Sequence, residues 1–287
     1  MLNALISVVF KLFQKYKIEN LQAIVVNYFV CVATAAVVKG GNPIPSDVQL
    51  TPWFVYAILL GILFVAAFNI MALTVQNFGV MIATIFQKMS LIAPTLIAII
   101  WYGETASPMK WLGILAALVS IILISYQKKY KQELNPDKAS NVKNWIWILP
   151  ILTFLGACII DSSLFLIEQN KLAAPGDVGF LASLFLSAGL NGLLILTFSV
   201  VRGKSKLAFR NVIAGICLGI PNFFSIYLLL LALQQGFEGS VVFPITNVGV
   251  LVLASLFGLL IFKEQLTRLK MIGFGLAIAS ILLISFS

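Results

Sequence analysis

Two charged side chains stand where charge is expensive. Lys88 lies ten residues into the apolar stretch 79–101, beside Gln87 and Ser90, with Pro94 further on. Asp161 lies midway along the apolar stretch 145–168, followed by Ser162 and Ser163. An ionised group inside a bilayer faces the protein interior or a wet cavity and is stabilised by a partner of opposite charge. A Lys88–Asp161 pair would lower the cost of both charges. In such a site the carboxylate of a solute can replace Asp161 beside the ammonium. A purely structural ion pair is the other reading, and the residues alone leave both open.

A wider set of polar residues lies in apolar stretches. Gln87, Asn69, Asn222, Thr246 and Asn247 are candidate substrate contacts. The competing role for each is a hydrogen bond between helices. Pro94, Pro221 and Pro244 interrupt apolar stretches at depth. A proline removes a helical hydrogen bond and leaves a carbonyl free, so these are candidate gates or substrate-facing breaks, with a packing kink as the alternative. Gly215 and Gly219 form a G-x-x-x-G, which allows two helices to approach closely.

Enzyme chemistry is poorly provided for. The chain has no His, which removes a Ser–His dyad and an H-E-x-x-H zinc site. Cys31, Cys158 and Cys217 sit in apolar runs without metal-ligand spacing and read as small packing residues. Only one carboxylate, Asp161, lies deep in a span, so a facing aspartyl pair is not available, and no phosphate-binding loop is present. The expectation is no catalytic residues, no metal and no cofactor.

The elements that must position these residues are membrane helices. Of 287 residues, 61% are hydrophobic and only 10% charged, and the mean hydropathy is +1.04. Globular domains carry roughly 25% charged residues. Apolar runs predict spans over 2–13, 21–38, 53–73, 79–101, 110–126, 145–168, 177–201, 211–232, 239–262 and 269–286. They are too continuous for the alternating strands of an outer-membrane barrel. The first is short for a ~30 Å hydrocarbon core, which predicts about ten further residues ahead of Met1 by the same length argument.

The chain repeats itself. Shifted by 160 positions, Gly79 meets Gly239, Glu104 meets Glu264, Lys110 meets Lys270, Gly113 meets Gly273, and Ser120-Ile121 meets Ser280-Ile281. Ser107 aligns with Thr267 as N-caps of the helices that follow, and Glu104 and Glu264 lie near those helix starts. This predicts an all-α membrane protein of ten transmembrane helices. Residues 1–126 and 145–287 are the two five-helix repeats, joined by a basic linker at 127–144. An odd number of spans per repeat inverts the second copy, an architecture typical of secondary carriers.

Charge separates the two ends. Fifteen of the 19 Lys and Arg residues lie in or beside the connections after the odd-numbered spans, against Lys39, Lys110 and Lys171 on the other side. The positive-inside rule then places the linker in the cytoplasm and both termini outside. The net charge of +9 is explained by that retention, and nucleic acid is not an expected partner.

At the ends of the two halves the chain resembles the EamA-like ten-helix proteins of the drug/metabolite transporter superfamily. The resemblance rests on Ala83–Pro94, Gly103-Glu104, Trp111–Ile114 and Ser120–Ser125 in the first copy. The second copy has Lys263-Glu264, Met271–Gly273 and Ser280–Ser285, with Lys263 in place of the expected glycine. The resemblance implies export or exchange of a small polar, amino-acid-like metabolite across a bacterial inner membrane. It also implies a central cavity lined mainly by the first, third and fourth helices of each half, and both termini in the cytoplasm, opposite to the charge reading. The expected partners are the bilayer and a small-molecule substrate, with a homodimer as a further option. A lipid flippase and a non-transporting receptor or scaffold are the alternative functions.

Overall fold

The computed structural model describes residues 2–103, 107–125, 144–173, 177–203, 205–234, 239–264 and 267–286. The basic linker expected at 127–144 lies outside these residues except for Asn144, and Glu104 lies outside them too. Among the described residues every regular element is helical: α1 (Leu2–Lys15), α2 (Asn20–Lys39), α3 (Phe54–Phe78), α4 (Val80–Lys88), α5 (Ile92–Trp101), α6 (Pro108–Ser125), α7 (Ile148–Gln169), α8 (Val178–Val201), α9 (Phe209–Gln234), α10 (Gly239–Leu260) and α11 (Arg268–Ser285). Counting α4 and α5 as one broken span gives ten, with ends within a few residues of the apolar runs. Seven are long and apolar enough to cross a membrane. At 14 residues α1 is about 21 Å long.

Local chemistry sets the ends. Gly40 takes a left-handed conformation (φ 73°) after α2, and Gly41 N–H reaches back to the Ala36 carbonyl at 3.1 Å. This is the hydrogen-bond pattern of a Schellman cap. The Ser107 and Thr267 hydroxyls accept from Lys110 N–H (3.1 Å) and Lys270 N–H (3.4 Å), so both copies cap their last helix with the same device. Gly103 (φ 68°) and Lys263 (φ 51°) are matched positions and share a left-handed backbone, so the lysine adopts the conformation of the glycine it replaces. Asp177 Oδ1 accepts from Gly179 N–H (2.7 Å) and Phe180 N–H (3.2 Å) at the start of α8. Asp177→Ala is expected to cost about 1 kcal/mol, read as a lowered Tm in detergent.

Large apolar side chains are left on the outside, as expected where lipid is the solvent: Val55, Ile100, Leu115, Ile122, Leu194 and Leu260 are all exposed. Trp53 lies just before the start of α3. It is buried and meets the Phe180 ring edge-on at 5.6 Å.

Inside, two apolar clusters form. One gathers Phe10, Tyr28, Phe64, Phe185 and Phe223, and the other gathers Ile85, Phe86, Leu251 and Ile281. The main pairings are α6 with α11, α2 with α9, α3 with α8, α2 with α8 and α3 with α7. Small residues make the approaches close. A Cβ on Gly215 would lie 2.6 Å from the Ala23 carbonyl oxygen, and one on Gly219 would lie 2.8 Å from that of Asn27. The G-x-x-x-G of α9 is therefore the seat of α2.

The connections sort to two ends. At one, Glu19 N–H bonds Asn211 Oδ1 (3.1 Å), Asn20 meets Gln76 (2.8 Å), and the Lys11 ammonium reaches the Val75 and Gln76 carbonyls (both 3.4 Å). Val80 N–H bonds Glu264 Oε1 at 2.7 Å at the same end. At the other end, Asn170 Nδ2 bonds the Tyr102 hydroxyl at 3.1 Å. The first end is the one rich in Lys and Arg. Glu264 also corrects an expectation: its carboxylate caps α4 from the other half of the chain instead of serving the helix that follows it.

Candidate functional site

The site lies at a break in one span. A continuous helix over 80–101 would bond residue 94 N–H to the Ser90 carbonyl, and Pro94 has no N–H to give. The helix stops at Lys88, passes through a 3-10 turn at Met89–Leu91 and restarts at Ile92. Pro94 therefore sits in the first turn of α5, where its missing donor costs little, and not as a kink inside a continuous span. The freed Ser90 carbonyl faces Cys158 Sγ of α7 at 4.0 Å.

Asp161 of α7 packs at the same break. Its Oδ2 bonds the buried Ser90 hydroxyl, which also lies 2.5 Å from the Gln87 carbonyl oxygen. The Asp161 and Lys88 charges act on each other. Both residues are only partly buried, whereas Ser90 is 2% exposed. The arrangement holds a cation and an anion at one helix discontinuity, with a hydroxyl orienting the anion. It can offer an ammonium to a carboxylate or phosphate and a carboxylate to an amine.

The other candidates divide between this place and elsewhere. Gln87 is at the break and half-buried, and contributes its carbonyl. Asn69 is half-buried on α3 and bonds its own helix through the Val65 carbonyl at 2.8 Å. Thr246 and Asn247 are half-buried on α10, which packs against α4. Asn222 is away from the break. It is 3% exposed, and its amide donates to Asn27 Oδ1 (3.2 Å) and Cys31 Sγ (3.6 Å) of α2. Pro221, inside α9, adjoins that α2–α9 contact. Pro244 lies in the helical run of α10, with its side chain outside the described residues.

Ser90 and Cys158 also meet at the break and were absent from the sequence candidates. Ser90 entered only as a neighbour of Lys88, and Cys158 only as a packing residue, although it lies three positions before Asp161 on the same helix face. Near the break, Thr74 and Thr153 share a hydrogen bond of 2.8 Å between α3 and α7, and Ser7 and Thr84 share one of 3.3 Å between α1 and α4.

Long apolar helices, a lipid-type exterior and a charged pair at a broken helix define an integral membrane protein with several spans. Comparison with known proteins places it more closely. Residues 148–286 match the EamA-like transporter family. Over 285 residues it is also 27% identical to a protein of Haemophilus influenzae described as uncharacterized, spanning 96% of this chain and 92% of that one. The family that this half of the chain resembles is one of transporters.

Proposed function

We propose that the chain is a secondary carrier of a bacterial inner membrane, exporting or exchanging a small polar, amino-acid-like metabolite by alternating access. The observation that carries the substrate class is the Lys88–Asp161 pair at the α4–α5 break. A zwitterion presents a carboxylate to the one and an ammonium to the other. Asn69, Gln87, Thr246 and Asn247 are the polar residues able to supplement those contacts, with Pro94 and Pro244 at the starts of the segments that would move. Asn222 and Pro221 serve better as the joint between α2 and α9.

Support for two inverted five-helix halves comes from the packing. Exchange α1 with α7, α2 with α8, α3 with α9, the α4–α5 span with α10, and α6 with α11. The α2–α9 pairing then becomes α3–α8, α1–α9 becomes α3–α7, and α1–α10 becomes α4–α7. The α6–α11, α2–α8 and α4–α10 pairings map onto themselves. Such an internal two-fold is what alternating access exploits. By loop charge, the basic end faces the cytoplasm.

Proteoliposomes preloaded with single unlabelled solutes test the reading by counterflow of the labelled solute. Accumulation is expected for a zwitterionic solute and not for a neutral sugar. Movement of labelled phospholipid without counterflow of any solute would replace the carrier by a flippase.

A further inference from the structure

The end of α4 remote from Lys88 is held by the other half of the molecule. Glu264 lies in the α10–α11 connection. Its own N–H bonds the Gly258 carbonyl at 3.0 Å, which anchors it at the end of α10. Its carboxylate accepts from Val80 N–H at 2.7 Å and Met81 N–H at 3.4 Å, the first donors of α4. Those donors have no partner within the helix, and the positive end of the helix dipole favours an anion there. The Lys270 charge also acts on Glu264.

Two glycines make room for the contact. A Cβ on Gly79 (φ 95°) would lie 2.5 Å from Glu264 Oε1, and one on Gly258 would lie 2.6 Å from Oε2. Both halves have therefore been pared back around one carboxylate. The same residue types recur at the repeat-matched positions, Gly239 for Gly79 and Glu104 for Glu264.

We infer that Glu264 is a positioning residue, an inter-half clasp that holds α4 against α10 at the basic end and closes that end until it is released. The rod it grips is α4, nine residues with Lys88 as the last. Release at Val80 frees the helix that carries the candidate site. The functional meaning rests on the carrier reading above, whereas the contact and its test need no substrate.

The test is labelling by a membrane-impermeant charged methanethiosulfonate reagent applied from the basic end, in a background with Cys31→Ser, Cys158→Ser and Cys217→Ser. Reporter cysteines replace Thr84 on α4 or Ser255 on α10, which are 0% and 3% exposed. Glu264→Ala is expected to raise the labelling rate at both reporters by about 10-fold or more, the scale set by losing charge-assisted hydrogen bonds. Gly258→Ala, which keeps the carboxylate but displaces it, should do the same and covers the case in which Glu264→Ala misfolds. Asp177→Ala, which removes a cap elsewhere, should leave both rates unchanged. A rise at Thr84→Cys alone would mean fraying of α4 and overturn the clasp. Unchanged labelling at both reporters in folded Gly258→Ala or Glu264→Ala protein would overturn it as well.

Discussion

Lys88→Ala is expected to lower counterflow of a zwitterionic or anionic solute by about 100-fold or more while leaving the protein folded. Removing the ammonium that would pair with the carboxylate of a bound solute costs roughly 2–5 kcal/mol where that pair is desolvated, and each 1.4 kcal/mol is tenfold. Folding should survive because the Asp161 carboxylate keeps the Ser90 hydroxyl. Asp161→Asn separates substrate classes. It preserves an acceptor for Ser90 but removes the negative charge, so a zwitterion loses its ammonium contact whereas a simple monoanion keeps Lys88. Initial counterflow rates for the two solute types in both variants read this directly. Full rates in Lys88→Ala would make the pair structural and move the site elsewhere.

Gly215→Val is expected to lower stability by about 1–3 kcal/mol, the usual cost of overpacking, and to reduce Tm in detergent accordingly. The first added carbon alone would lie 2.5 Å from Val26 Cβ and 2.6 Å from the Ala23 carbonyl oxygen. The backbone of α2 cannot rotate out of the way as a side-chain tip can. In a bilayer no hydrophobic force between helices compensates for lost packing. The expected contrast is Gly249→Ala or Gly275→Ala, where nothing lies within 4 Å of the added carbon. There the better helix propensity of Ala should hold or slightly raise Tm. Equal Tm for Gly215→Val and wild type would mean that the α2–α9 seat carries little of the stability.

Much of the architecture was legible in the residues because a membrane helix is specified locally. Each apolar run needs only its own length and lack of charge to bury its backbone in lipid. The ends of α2, α8 and α11 follow those runs within a few positions. Ser107 and Thr267 could be read as caps because a cap and its helix adjoin in sequence. Lys88 and Asp161 stood out because charge inside an apolar run is costly wherever it occurs.

Partner choice was not legible, because it is settled between helices far apart in the chain. Ser90 and Asp161 are 71 positions apart, and Asn222 and Asn27 are 195 apart. The inter-helix bond that was one of two readings for Asn222 needed α2 to supply its acceptor. Glu264 read as part of the next helix start until the fold brought it 184 positions back to Val80. Pro94 marked a disturbance, but the 3-10 turn at Met89–Leu91 and the Ser90 carbonyl it frees belong to the packing of α7 against the break. The sequence by itself determined the helical class, the extent of the helices among the described residues, and which charges had to be accommodated inside them. Only the tertiary structure decided which groups meet, since hydrogen bonds and close packing depend on distances in space that no local period encodes.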